Sequence, residues 1–183
     1  MSEEMIVRLC SPTLAGIKTA SLFACQFQCR KKLWNEIRRY NRMLTGKGVR
    51  MLPIKVSGNT ALIYLYRPSR LEKDLSCKSA AGILQSAGYQ SVKSGYCIAE
   101  LMRRLREGED FPHEIGLFLG YPPEDVYGFI VNKGCGCKCA GCWKVYGDES
   151  EAQKRFDSYR RCTRIYRERH ANGVSVERLT VAV

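Results

Sequence analysis

The sequence predicts an α+β fold: a single domain over residues 1–183, with a small mixed sheet of about four strands covered by helices. Three observations predict it. Residues 49–57 and 60–66 are strand-like runs joined by Gly58-Asn59, a dipeptide suited to a two-residue hairpin turn. Segments 26–45 and 149–170 repeat apolar residues near the helical period and are too long for strands. Hydrophobic residues make up 45% of the 183, enough for one core.

Taken in order, the chain opens with an apolar segment, residues 5–9, ending at Cys10. Ser11-Pro12 then looks like a helix start, with Ser11 as cap and Pro12 in the first turn. Leu14, Ala15, Ile17, Leu22 and Phe23 suggest two short helical pieces around Gly16. Helix 26–45 follows, with Phe27, Trp34, Ile37, Asn41 and Leu44 as its stripe, widened by Leu33 and Tyr40. Gly46 and Gly48 end it. After the hairpin come a helical turn at 69–75, a small-residue helix at 78–85 and a helix marked by Ile98, Leu101, Met102 and Leu105. Pro112 opens the next helix and Gly120 closes it. Pro122-Pro123 starts another, with Glu124 and Asp125 in its first turn, where negative charge suits the macrodipole. A cysteine loop leads to a strand at 143–146. Helix 149–170 and a last strand at 174–183 complete a C-terminal strand-helix-strand unit.

The chain shows no bilayer-spanning apolar run and no secretory leader, so the expected location is the cytoplasm, with no membrane partner. In a reducing compartment the ten cysteines read as core residues, metal ligands or reactive thiols rather than a disulfide framework. Net charge is +12, and the excess is uneven: residues 1–55 carry 11 basic and 3 acidic side chains. That field attracts a polyanion or an acidic protein such as a small electron carrier.

Three constellations carry candidate chemistry. Cys135, Cys137, Cys139 and Cys142 lie within eight residues, spaced by glycines. Thiolates are soft ligands for zinc, iron or copper, and Cys139 and Cys142 have the spacing of a metal-gripping pair. Four ligands so close are cramped for one tetrahedral ion, so Cys162 or Cys10 would complete a site; a redox dithiol or a loop of free thiols are the alternatives. Second, Cys10 before a helix start would have a lowered pKa, and a cysteine nucleophile needs a histidine base. His113, next to Glu114, is the better placed of two histidines, with Glu114 or Asp125 to orient it. The plain alternative makes Cys10 a buried small hydrophobe and His113 a cap on its own helix. Third, Lys18, Arg67, Arg70 and Lys73 form a candidate anion site at a strand end, or else a salt-bridged surface turn. Cys25 and Cys29, one helical turn apart, read as core.

Four stretches, 10–18 from Cys10, 66–74 from Tyr66, 113–122 from His113 and 143–146 from Trp143, resemble an uncharacterised bacterial family, a domain of unknown function of about this size. The resemblance covers nearly the whole chain and is most specific at His113-Glu-Ile-Gly. It implies no activity. In that family's pattern the loop before Trp143 need not be cysteine-rich, which shifts weight to Cys10 and His113. The leading expectation is a cytosolic thiol protein with a metal-binding or redox role through the cysteine loop. The alternatives are a cysteine-nucleophile enzyme using Cys10 and His113, and a binder of nucleic acid or an acidic partner through helix 26–45.

Overall fold

The structure, a computed structural model, describes residues 1–108 and 110–182. Among them are nine α-helices, one 3-10 turn and two antiparallel sheets, of three and two strands. The mixed α/β class therefore holds. The chain divides into two compact units, Met1–Ser69 with Tyr159–Val183, and Arg70–Ser158.

In the first unit, helix α1 (Glu3–Leu14) starts at Ser2, whose side chain accepts a hydrogen bond from the Met5 amide. Glu3 and Glu4 sit in its first turn, where carboxylates suit the dipole. Ile6, Val7, Cys10 and Leu14 form a fully buried stripe. The helix runs straight through Ser11-Pro12, which is not a start. Pro12 lacks an N–H, but it stands near the last turn, so only one intrahelical bond is lost.

Strand β1 (Ala20–Gln26) replaces the expected second helical piece. It pairs antiparallel with β3 (Thr60–Tyr66), from Ala20 opposite Tyr66 to Gln26 opposite Thr60. On β3's other edge lies β2 (Arg50–Ser57), with a bulge between Pro53 and Lys55. The expected hairpin is formed. Gly58, at φ 53, supplies the left-handed residue of its turn.

Helix α2 (Arg30–Leu44) buries Leu33, Ile37, Tyr40 and Leu44, and leaves Trp34 exposed. Residues 26–29 belong to β1 and the link that follows, so Cys25 and Cys29 are not one helical turn apart. The side chains of α1 and α2 meet Phe23, Met51, Ile63 and Leu65 of the sheet in one core. Tyr64 and Tyr66 point to the opposite face, stacked with centroids 4.8 Å apart.

The second unit holds most of α3 (Pro68–Ser76), then α4 (Lys78–Ser86), α5 (Ser94–Glu107), the single turn α6 (Ile115–Phe118) and α7 (Pro123–Val131). Its small sheet pairs β4 (Cys139–Ala140) with β5 (Lys144–Val145). Helix α8 (Glu149–Ala171) begins in this unit and ends in the first. Helix α9 (Val176–Leu179) stands where a last strand was expected: Ser175 caps it, accepting from the Arg178 amide. The strand-helix-strand unit is thus not formed, and both sheets are antiparallel rather than mixed. Val183 lies outside the described residues.

Candidate functional site

The second unit contains a cleft of about 920 Å³ built from α4, the end of α5, the 110–114 segment and α7. Its apolar wall includes Ile83, Phe111, Pro112, Pro123, Tyr127 and Ile130, and its polar groups are Arg104, Asp110, His113, Glu114 and Glu124. Phe111, Tyr127 and Ile130 are all exposed large hydrophobics. A concave site with apolar walls and a few polar groups is the common form of a small-molecule site.

Local sequence explains the placement. The α6 turn packs closely because residue 116 is glycine: a Cβ there would sit 2.7 Å from Val126 Cγ2. Gly120, at φ 74, reverses the chain so that Pro122 and Pro123 can start α7. The cleft therefore gathers residues from both sides of this turn.

His113 is exposed in the cleft, its ring set edge-on to Phe129 at 5.0 Å. Beside it, Glu114 is buried. It accepts a hydrogen bond from Tyr89 Oη at 3.0 Å and faces Arg104 Nη1 at 3.6 Å. Arg104 also donates to Glu100 Oε1 at 2.8 Å and to the Ala87 carbonyl, and lies over the Tyr89 ring. Burial and the Glu114 carboxylate raise the Tyr89 hydroxyl, which stays protonated and donates. Glu100 is held down at about 2 by Arg103 and Arg104. This network fixes Glu114 and Arg104 at the cleft wall.

A second network fixes the cysteine loop. Asp125 is buried in the first turn of α7. Its Oδ2 accepts from Trp143 Nε1 at 2.7 Å, and its Oδ1 from the amides of Tyr146 at 2.7 Å and Gly147 at 2.8 Å. Trp143 in turn stacks on Tyr121 and meets Phe156 edge-on. Lys144 Nζ donates to the Gly134 carbonyl at 2.7 Å and lies over Phe129, the ring that His113 touches. Phe129 thus touches both Lys144, beside the cysteine loop, and His113 of the cleft.

On that frame Cys135 and Cys142 are exposed, and Cys137 and Cys139 are half-buried. All are free thiols. Among the described residues, no three histidine, cysteine, aspartate or glutamate side chains are grouped to hold a metal ion. Burial, with the Glu149 carboxylate and Cys137 nearby, raises the Cys139 thiol. The Tyr146 hydroxyl is raised by burial and by Cys137 and Cys135, and it has no hydrogen-bond partner among the described residues.

The other expected residues divide between the two units. Cys10 lies inside α1, not before a helix, and is fully buried; burial pushes its thiol up to about 12. The helix-start effect expected there falls on Cys29, the N-cap of α2, whose exposed thiol is lowered by the amides of Lys32 and Lys31. Cys10 belongs to the first unit and His113 to the second.

Arg67 is 1% exposed. Its guanidinium donates to the carbonyls of Thr13 at 2.7 Å, Leu14 at 2.7 Å, Lys47 at 3.2 Å and Val181 at 2.8 Å. It thereby caps the negative C-terminal end of α1. Lys18 lies over the Tyr159 ring, and Arg70 and Lys73 belong to the second unit. Of the residues expected from the sequence, His113, Glu114 and Asp125 stand in or beside the cleft; Tyr89, Arg104, Phe111 and Tyr127 were not foreseen. The bias of Phe111-Pro112-His113, apolar yet next to a charged segment, is the signal that could have found them.

No helix among the described residues is long and apolar enough to cross a membrane. Comparison with curated proteins and with solved structures finds no match. A family model described as a protein of unknown function, DUF3793, matches residues 6–180, which include the whole cleft and the cysteine loop. The chain belongs to this family.

Proposed function

We propose that the second unit binds a small amphipathic molecule, with a planar apolar body and a cationic group, in the His113 cleft. One observation carries the reading: three exposed hydrophobic side chains, Phe111, Tyr127 and Ile130, gather on a single cavity of about 920 Å³. Exposed apolar groups scattered singly need no explanation, but grouped around a cavity they mark a binding site. Charge selects the ligand class. Asp110, Glu114 and Glu124 line the cleft with Arg104, a cation that Glu100 and Glu114 already engage. Aromatic faces also attract cations.

Benzamidine and benzoate, planar ligands of opposite charge, test it by protein-observed NMR. Benzamidine is expected to bind with a Kd on the order of 1 mM, near the range for so small a ligand. Tyr127→Ala is expected to weaken it roughly two- to fivefold. Equal binding of both ligands, or benzamidine binding indifferent to Tyr127→Ala and His113→Ala, rejects the reading.

A second reading keeps the thiols. The unpartnered Tyr146 hydroxyl near Cys135 and Cys137 supports disulfide exchange at this loop, because a phenol can donate to a thiolate. One thiolate would attack oxidised glutathione and release one glutathione thiol. A second cysteine would then close the loop disulfide and release the other. Peptide mass spectrometry is expected to find the 135–142 peptide lighter by two hydrogens. Stable glutathione adducts without ring closure refute it.

A further inference from the structure

We propose that the exposed face of α2 binds single-stranded nucleic acid. The first observation is charge segregation between the units. Met1–Ser69 with Tyr159–Val183 holds 18 basic and 5 acidic side chains, a net of +13. Arg70–Ser158 holds 12 and 13, a net of −1. The entire basic excess of the protein therefore belongs to the first unit.

The second observation is where α2 spends its charge. Arg30, Lys31, Lys32, Arg38, Arg39 and Arg42 are exposed on this one 15-residue helix. Its lone acidic residue, Glu36, is taken by the Met1 amino group at 2.7 Å. Among the described residues none of these six side chains forms an ion pair. In the second unit, by contrast, Arg103, Arg104 and Arg155 all pair with glutamates. Exposed cations without ion pairs on one helix are a field that a polyanion can neutralise.

The third observation chooses the polyanion. Trp34 is 43% exposed on the same helix. Residues three and four apart are neighbours on a helix surface, so Arg30 and Lys31 flank this ring on one side and Arg38 on the other. An exposed indole between guanidinium groups gives an unpaired base a stacking surface and its phosphates a set of donors. An acidic protein would use the charges without needing the ring plane, and a lipid surface, which also takes an indole at its interface, is the competing occupant that the vesicles below test.

The test uses the full chain with short oligo(dT), oligo(U), heparin, poly-glutamate and anionic phosphatidylserine vesicles at several NaCl concentrations. Trp34 reports directly, since the only other tryptophan, Trp143, is buried. Binding of either oligonucleotide is expected to quench Trp34, and a preference between the two identifies RNA or DNA as the natural partner. Trp34→Ala should weaken binding about tenfold while leaving the salt slope unchanged, and Trp34→Phe should restore much of it. Arg30→Ala with Arg38→Ala and Arg42→Ala should make the log–log salt slope shallower by about 2, at roughly 0.7 for each phosphate no longer neutralised. These exposed substitutions leave the α2 core residues untouched, and circular dichroism checks the fold. Oligonucleotide binding no tighter than poly-glutamate or heparin binding, and indifferent to Trp34→Ala, overturns the proposal. Tighter binding to vesicles than to either oligonucleotide also overturns it.

Discussion

Cys29 stands at the start of α2 and Cys10 inside α1, and their surroundings drive the two thiols in opposite directions. Backbone amides stabilise the Cys29 thiolate, whereas the apolar packing around Cys10 penalises its charge. Iodoacetamide at neutral pH should therefore modify Cys29 well before Cys10, with peptide mass mapping as the readout; Cys10 should react only once the fold opens. The same burial sets a pH dependence. Between the ordinary 9.0 and about 12, the unfolded chain releases the Cys10 proton while the folded chain keeps it. Its contribution to stability is therefore intact below 9.0 and is lost as pH rises through that window. Denaturant midpoints measured across it should fall less steeply in Cys10→Ala than in the parent. Sequence spacing finds the correct physics and the wrong cysteine, because Ser11-Pro12 looks more like a cap than Ser2 does. Only the buried stripe through Cys10 decides between them.

At the scale of elements, Asp125 joins α7 to the β4–β5 hairpin through three accepted hydrogen bonds. Asparagine has the same shape but one acceptor oxygen, so Asp125→Asn leaves a buried donor unmatched. A loss of about 2 to 3 kcal/mol is expected in chemical denaturation. Faster hydrogen exchange at the Tyr146 and Gly147 amides should accompany it. Unchanged exchange at both would show that the hairpin holds without this carboxylate. The sequence makes Asp125 a first-turn acid that favours the helix dipole, which is correct and incomplete. Its partners lie 18 to 22 residues away, beyond any local pattern. Strand β1 escapes for a related reason. Leu14, Ile17 and Leu22 mimic a helical stripe, and only pairing with β3 makes the segment a strand. Residues 174–183 err the other way: Val174 and Val176 alternate like a strand, but the Ser175 cap turns the chain into α9. The Gly58-Asn59 hairpin and helices α4, α5 and α8 were legible because their signals are local.

For the whole molecule, the charge is legible in amount and hidden in distribution. Dividing the sequence into consecutive stretches assigns the basic excess to residues 1–55, yet Arg160, Arg161, Arg164, Arg167 and Arg169 belong to the same unit as α2. A chain that leaves a compact unit and re-enters it cannot be read in order. Arg67 makes this concrete. Its buried charge is solvated by four carbonyls, one of which belongs to Val181, 114 residues further along. During synthesis, residues 70–158 leave the ribosome before that last oxygen exists. The segment that completes the cation's shell is therefore made after the whole of the second unit. Until it arrives, the first unit must hide a charge that is short of an acceptor or keep that region open to water. The order of translation thus favours closure of the second unit before the first.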